Sequence, residues 1–91
     1  MTYTIEMSTK FKKDVKLIEK RGYDISLIKK VIGILANGEQ LPEEYKDHAL
    51  KGEYINYREC HIQPDWLLIY RIEKDILVLA LTRTGTHSDL F

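Results

Sequence analysis

The sequence has 91 residues, of which 44% are hydrophobic and 31% are charged, and its formal net charge at pH 7 is zero. This composition is typical of a soluble globular protein, excludes an intrinsically disordered chain, and predicts one domain spanning residues 1–91. No apolar run approaches the roughly 20 residues of a membrane-spanning helix, and the first residues lack the pattern of a signal peptide. We therefore expect no contact with a membrane. A single cysteine, Cys60, excludes an internal disulfide, and this fits a protein of the reducing cytoplasm.

The charges are distributed unevenly along the chain. Residues 1–31 contain eight Lys and Arg residues against four acidic residues, whereas residues 32–91 contain six basic and ten acidic residues. The first third is therefore basic, with a net charge of +4. Such a surface can bind phosphate groups, although a solvent-exposed helix face explains it more simply.

The first predicted elements are a strand and a helix. Residues 3–7 alternate and are rich in β-forming residues, which predicts a strand. Ser8 or Thr9 can cap a helix that follows, and Gly22 favours its end. Its apolar positions recur at helical spacing: Phe11, Val15 and Ile18.

A second helix is predicted to begin after Asp24 and to end at Asn37-Gly38. Its apolar face consists of Ile28, Val31, Ile32 and Leu35. Lys and Arg residues lie opposite the apolar faces of both helices. The two helices are therefore expected to form a basic, amphipathic hairpin.

The remainder of the chain predicts a long loop and three strands. Residues 38–53 contain Gly, Pro and several charges, which favours a loop with at most a turn of helix. The strands are predicted at residues 54–62, 66–73 and 76–83. Short connections at Pro64-Asp65 and Lys74-Asp75 favour an antiparallel meander. The predicted fold is therefore α+β, with the helices packed on a small antiparallel sheet.

No cofactor motif is present: a glycine-rich dinucleotide loop, a P-loop and HExxH are all absent from the sequence. The chemistry must come from side chains, and five polar residues lie at predicted strand ends or in loops: His48, His61, Asp65, Arg83 and His87. Strand ends and loops held by a rigid sheet are common positions for catalytic groups.

Each of these residues also has a structural explanation. A loop histidine is more often a surface residue than a catalyst, Arg83 can form a surface ion pair, and Asp65 suits a turn after Pro64. Trp66 is a core residue by default, and Cys60 is better explained as a buried strand residue than as a nucleophile. The spacing of the three histidines matches no compact metal signature, so we predict no metal site.

Three segments together resemble the signature of the YafQ branch of the RelE-like toxins, which are the toxin halves of type II toxin–antitoxin pairs. The segments are DHALKG (residues 47–52), RECHIQPDWLLIY (58–70) and RTGTHSDLF (83–91). They lie in the order and spacing of the family, and with the helical hairpin the resemblance covers essentially the whole chain. The site residues that it implies here are His48, His61, Asp65, Trp66, Arg83, His87 and Phe91.

The resemblance implies a RelE-like fold and a ribosome-dependent endoribonuclease that cleaves messenger RNA in the ribosomal A site and inhibits translation. It also implies a cognate, DNA-binding antitoxin similar to DinJ or RelB, no cofactor, and a location in the bacterial cytoplasm. The same fold supports ParE-like toxins, which inhibit DNA gyrase by binding and cleave no RNA. The three histidines and Asp65 favour cleavage, and a catalytically inactive regulatory module is the third alternative.

RNA carries its own nucleophile, the 2′-hydroxyl, so the protein needs only to move protons and stabilise charge. We expect His87 to be the general acid and Arg83 to hold the phosphate. Asp65, His48 and His61 compete for the role of general base. Trp66 and Phe91 are candidates for stacking on a splayed base, with a core position an equal alternative for Trp66.

Two further expectations concern the metal and the end of the sequence. Asp65 is the only carboxylate recognised in the site, and that is too few for a two-metal nuclease, so cleavage is expected to be metal-independent. Gly85 is expected to let the chain turn back, and Phe91 to anchor its end, with His87 fixed between them.

Overall fold

The computed structural model describes residues 2–91. The elements in chain order are β1 (Thr4–Met7), α1 (Thr9–Lys20), α2 (Ile25–Ala36), β2 (His48–Ala49), β3 (Arg58–Gln63), β4 (Trp66–Glu73), β5 (Val78–Gly85) and α3 (His87–Leu90). The predicted α+β class is confirmed. No helix within the described range is both long and apolar enough to span a membrane.

The strands form one sheet in the order β1-β5-β4-β3-β2. The meander β3-β4-β5 is antiparallel, as expected. β1 differs, because it lies parallel to β5 with Thr4 opposite Val78. β2 was also not predicted: it is a two-residue edge strand in the 38–53 segment, and His48 lies opposite Glu59 of β3. That segment otherwise contains a short 3-10 helix at Glu43–Tyr45.

The predicted caps of both long helices are confirmed. The Ser8 side chain accepts a hydrogen bond from the backbone N–H of Phe11 at 2.9 Å, and Asp24 accepts one from the N–H of Ser26 at 3.0 Å. Each cap satisfies a backbone donor that has no partner within its helix. The first helix ends just before Gly22, as predicted.

Two of the three predicted strands begin later than expected. β3 begins at Arg58 rather than at residue 54, because Gly52–Tyr54 form a short 3-10 helix and Asn56 has a positive φ of 75°. β5 begins at Val78, after a turn in which Leu77 has a φ of 53°. These left-handed residues interrupt the extended conformation that the composition favours.

The helices cover one face of the sheet. The main core lies between the two helices and the sheet. Apolar residues of α1 and α2 pack there against residues of the strands: Phe11, Ile18, Ile28, Val31 and Leu35 from the helices, and Cys60, Leu68, Tyr70, Leu79 and Leu81 from the strands. The opposite face, which we call the open face, carries a smaller cluster of Leu67, Ile69 and Leu90 flanked by Leu50, Tyr54 and Tyr57. Neither α1 nor α2 contributes to this second cluster, so the open face is available for function.

The last residues form a short, well-tied helix that the sequence did not predict. The Thr86 hydroxyl accepts from the Asp89 N–H, and the Asp89 carboxylate accepts from the Thr86 N–H, which completes a capping box. Asp89 also forms two hydrogen bonds with Arg21 at the end of α1. Gly85 is required before this helix, because its φ is 157° and an added Cβ would lie 2.9 Å from Asp89 Oδ2.

Candidate active site

The fold brings the three histidines together on the open face. His48 comes from β2, His61 from β3 and His87 from the first turn of α3. The ring centroids of His48 and His61 are 6.3 Å apart, and those of His61 and His87 are 5.9 Å apart. The histidines, which lie 13 and 26 residues apart in the sequence, therefore form a continuous group in space.

Asp65 orients His87. The Asp65 carboxylate accepts a hydrogen bond from the His87 backbone N–H at 3.0 Å, and its same oxygen lies 2.5 Å from His87 Nδ1. These backbone and side-chain hydrogen bonds lower the pKa of Asp65 below its ordinary value. An ionised Asp65 keeps the Nδ1 proton in place, so that Nε2 is the nitrogen of His87 that can exchange a proton with a substrate.

A backbone carbonyl fixes His48. Its Nδ1 lies 2.7 Å from the carbonyl oxygen of Lys46, a residue with a left-handed φ of 50°. Because a carbonyl only accepts hydrogen bonds, Nδ1 carries the proton. The remaining nitrogen, Nε2, faces Glu59 at 3.5 Å. In the neutral ring, this Nε2 is the atom able to accept a proton.

Glu59 is a site residue that the sequence analysis missed, and Asp65 is therefore not the only carboxylate present. Its side chain is only 7% exposed, and Oε1 lies 3.5 Å from His48 Nε2 and 3.7 Å from His61 Nε2. The alternation of side chains along a β-strand could have predicted this position. Glu59 and His61 share one face of β3, whereas Cys60 and Ile62 face the helices. Glu59 is therefore within ion-pair distance of Nε2 of both rings.

His61 borders a cleft. Its Nδ1 lies 3.3 Å from the carbonyl oxygen of Pro64. The cleft has a volume of about 380 Å³ and is lined by Glu44, Tyr45, Lys46, His61, Ile62, Gln63 and Pro64. This volume is within the range of small-molecule pockets, so the space beside the histidines can admit part of a nucleotide.

Arg83 is already paired with an acidic residue of α1. Its Nε and Nη2 donate to the Asp14 carboxylate at 2.7 and 3.1 Å, and Asp14 also accepts from the Thr84 N–H. Asp14, with a smaller contribution from the Tyr54 hydroxyl, raises the pKa of Arg83 above its ordinary value. The guanidinium therefore stays charged, but it must give up part of its hydrogen bonding with Asp14 before it can bind a phosphate. The pair spans 69 residues, which no local pattern indicates.

Trp66 does not have the substrate-stacking position considered from the sequence, because it is completely buried. Its Nε1 donates to Thr84 Oγ1 at 2.9 Å, and its ring meets that of Tyr23 edge to face. Thr84 in turn donates to the carbonyl of Leu67 at 2.6 Å. The alternative of a core position is therefore the correct one. Phe91, in contrast, is 65% exposed and available for contact.

A hydrogen-bonded network on the helix side supports the loop that carries His48. Asp47 accepts from Arg58 Nη2 at 3.0 Å and from the hydroxyl of Tyr70. Burial, followed by the Asp47 hydrogen bond, raises the pKa of Tyr70 above its ordinary value. This network fixes the residue immediately before His48.

Burial likewise raises the pKa of the Cys60 thiol to about 12, which makes it inert as a nucleophile.

The arrangement suits proton transfer. His87 presents one free ring nitrogen, and His48 and His61 with Glu59 present a second proton-exchanging group a short distance away. The nearest approach to a metal-ligand set is Glu59 with its two histidines, but within residues 2–91 no group of three or more potential ligands is arranged to hold a metal ion.

Known proteins resemble this chain along its whole length. Residues 3–91 match the family described as the bacterial toxin of type II toxin–antitoxin system, YafQ. The mRNA interferase toxin YafQ of Escherichia coli strain K12 is 44% identical over 88 residues, which cover 96% of this chain and 94% of that protein.

Solved structures agree with this match. The crystal structure of a metal-bound toxin from Helicobacter pylori has a TM-score of 0.91 and 49% identity, with both chains fully covered. A chain of the E. coli DinJ–YafQ toxin–antitoxin complex has a TM-score of 0.91 and 42% identity, with coverage of 100% of this chain and 99% of that one. The chain therefore belongs to the YafQ family of bacterial toxins of type II toxin–antitoxin systems.

Proposed function

We propose that the protein is a ribosome-dependent endoribonuclease that cleaves messenger RNA in the ribosomal A site. Its relative in E. coli is an mRNA interferase toxin. The observation that carries the proposal is the Asp65–His87 pair beside His61, with ring centroids of the two histidines 5.9 Å apart on the face of the sheet that α1 and α2 do not cover. A protein that acts by binding alone has no need of such a set of oriented proton donors and acceptors.

His87 is the general acid in this proposal. Its Nδ1 is occupied by Asp65 and its side chain is 55% exposed, so Nε2 is free to protonate the departing 5′-oxygen. Asp65 itself is poorly suited to be the base, because a lowered pKa makes a carboxylate a weaker proton acceptor. Its role is to orient His87.

The general base is His48 or His61, and Glu59 faces the Nε2 atom of both rings. The base removes the proton of the RNA 2′-hydroxyl, which attacks the adjacent phosphate. The oxyanion charge that develops there is stabilised by Arg83, which exchanges part of its contact with Asp14 for phosphate oxygens. No step of this route requires a metal ion, although the H. pylori relative was crystallised as a metal-bound toxin.

The partners follow from the surface and from the relatives. The exposed residues Lys12, Lys13 and Lys16 of α1 supply positive charge for a ribosome dense in phosphate. Because the E. coli relative forms a complex with DinJ, we expect a cognate DinJ-like antitoxin that covers the toxin and blocks its site. A cytoplasmic location in bacteria follows from a ribosomal target.

The test is cleavage of a defined message by purified protein, followed by primer extension, with and without programmed ribosomes. We expect cuts only with ribosomes, no cuts by His87→Ala, and normal cuts by Ser88→Ala, a matched exposed neighbour on α3. Protein treated with a chelator before mixing should remain active. Inhibition of gyrase supercoiling without any RNA cleavage would contradict the proposal and favour the ParE-like alternative.

A further inference from the structure

The GEYINY segment, residues 52–57, was assigned no role from the sequence, yet it places two aromatic rings on the open face. Tyr54 meets Tyr57 edge to face with centroids 5.9 Å apart, and Tyr54 meets Phe91 in the same way at 5.9 Å. We call Tyr57, Tyr54 and Phe91 the aromatic row.

The aromatic row is continuous with the candidate active site. Phe91 lies one helical turn after His87, with its backbone N–H bonded to the His87 carbonyl at 2.9 Å, so the two side chains share one side of α3. Tyr54 also lies beside Arg83, whose charge its hydroxyl helps to hold. The row therefore begins at the general acid and extends away from it past the proposed phosphate ligand.

A cation lies at the far end of the row. The guanidinium of Arg71 is 5.1 Å above the centroid of the Tyr57 ring. Its Nη2 is ion-paired with the Glu73 carboxylate, and its Nε is buried with no hydrogen-bond partner among the described residues. Guanidinium groups over aromatic rings are common where proteins contact single-stranded nucleic acid, because they bind phosphate and also lie flat against bases.

The row is rigid. The Tyr57 backbone carbonyl accepts from the Leu50 N–H at 2.9 Å, and the Tyr57 N–H donates to the Tyr54 carbonyl at 3.0 Å. Both tyrosines pack on the Leu67–Ile69–Leu90 cluster and remain only half-buried. A fixed, half-exposed ring loses little entropy when a base stacks on it.

We propose that the aromatic row is a stacking platform for unpaired bases of the RNA beside the cleaved bond, with Arg71 exchanging part of its contact with Glu73 for a phosphate at the far end of the row. This rests on the proposed function, because it assumes an RNA substrate. Single-stranded rather than duplex RNA is the ligand, since only splayed bases present their faces to side chains. The Phe91 end of the row adjoins His87, so RNA that is bound along the row is positioned next to the general acid.

The experiment measures binding and is independent of cleavage. A short single-stranded RNA, methylated at every 2′-oxygen, is titrated with the full-length protein at low salt, and fluorescence anisotropy gives Kd. A duplex of the same sequence and a series of RNAs with one abasic nucleotide are titrated in parallel. The variants are Tyr54→Ala, Tyr57→Ala and Tyr54→Phe, with Ile55→Ala as the matched exposed control in the same segment.

We expect Tyr54→Ala and Tyr57→Ala each to raise Kd on the order of tenfold. Tyr54→Phe should raise Kd much less than Tyr54→Ala, because the ring is kept, and Ile55→Ala should leave Kd nearly unchanged. At one or two positions, an abasic nucleotide should weaken binding to the wild type and have no added effect in Tyr54→Ala. That coupling is specific to stacking, and a purely structural role of Tyr54 would not produce it.

Three outcomes would overturn the inference: equal Kd values for wild type and both alanine variants, abasic effects that persist unchanged in Tyr54→Ala, or a preference for the duplex. Weakened binding of the antitoxin with unchanged RNA binding would also overturn it and assign the row to the antitoxin. Failure of the proposed function is distinguished separately, because it would appear as the absence of cleavage by the wild type while these binding differences remain.

Discussion

The two faces of the sheet differ in what covers them, although the same strands supply both. β4 directs Leu68 and Tyr70 toward α1 and α2, where they join a continuous aliphatic core. Its alternate residues, Leu67 and Ile69, face the other way and are covered only by α3 and by the segment around Leu50 and Tyr57. The helix-covered face therefore contributes most of the apolar burial, and burial of this kind is the main stabilising contribution to a small domain.

On the open face, polar and ionisable side chains occupy positions at which apolar side chains could otherwise be buried. His61 and Glu59 of β3 take the positions that aliphatic residues would occupy in a two-sided core, and His87 is added by α3. The alternation of a β-strand thus separates stability from chemistry within each strand. Substitutions on the helix-covered face should therefore lower stability, and substitutions on the open face should lower activity.

The largest effect is expected for His87→Ala on the open face. Loss of a general acid typically lowers the rate by about 10² to 10⁴, whereas the free energy of unfolding should be nearly unchanged, because the side chain is half-exposed. Single-turnover cleavage on programmed ribosomes and urea denaturation measure the two quantities. A stable variant that cleaves at the wild-type rate would remove His87 from the chemistry.

Trp66→Ala is the matching substitution on the helix-covered face. It removes a completely buried ring, so we expect a loss of about 3–5 kcal/mol in the free energy of unfolding. The folded fraction should still bind RNA with wild-type affinity. Trp66→Phe, which retains most of the ring volume but loses the hydrogen bond to Thr84, should be milder. Normal stability combined with lost RNA binding would instead place Trp66 against the substrate.

Glu59→Gln tests the buried carboxylate on the open face. We expect cleavage to slow on the order of tenfold, less than for loss of the acid itself, because Glu59 acts through His48 and His61 rather than on the RNA. KM should stay constant, since Glu59 has no substrate contact of its own and its side chain is only 7% exposed. An unchanged rate would mean that Glu59 is only structural.

The extent to which the sequence predicts these features depends on how local each interaction is. The caps of Ser8 and Asp24 act within three residues and were predicted correctly. The ion pair of Asp14 with Arg83 and the parallel pairing of β1 with β5 join distant parts of the chain, and no local pattern contains them. Non-local pairings of this kind are set by packing of the whole fold.

Strand alternation could have decided the open choice for Trp66 and revealed Glu59. Trp66 shares its face of β4 with Leu68 and Tyr70, so strand alternation alone predicts a core position once those two residues are assigned to the core. The same alternation places Glu59 beside His61 on the open face. In both cases the candidates were chosen by residue type, and the face of the strand was the missing criterion.

The smallest expected effect concerns the attachment of α3. Hydrogen bonds from Arg21 and from the Thr86 N–H hold the pKa of Asp89 well below its usual range. Because this pKa is lower in the folded than in the unfolded protein, the contribution to stability is complete above about pH 4 and is lost as the pH falls through the folded pKa. Asp89→Asn should therefore be slightly less stable than wild type at pH 7, with the difference shrinking below about pH 4.

Urea denaturation of both proteins across this range measures that difference. Ser88→Asn, a neighbouring exposed position on α3, is the control and should track the wild type at every pH. A deficit of Asp89→Asn that stays constant into acid would mean that Asp89 contributes through packing rather than through its charge.

If the open face cleaves RNA by activating the 2′-hydroxyl, as proposed, the chemical ends of the products record that attack. A message cut on programmed ribosomes should yield an upstream fragment ending in a 2′,3′-cyclic phosphate and a downstream fragment with a free 5′-hydroxyl. The same message with a single 2′-deoxy nucleotide at the cut position should resist cleavage. A 5′-phosphate on the downstream fragment, or efficient cutting of the 2′-deoxy message, would show that water is the nucleophile and would contradict the roles assigned to His87, Asp65 and Arg83.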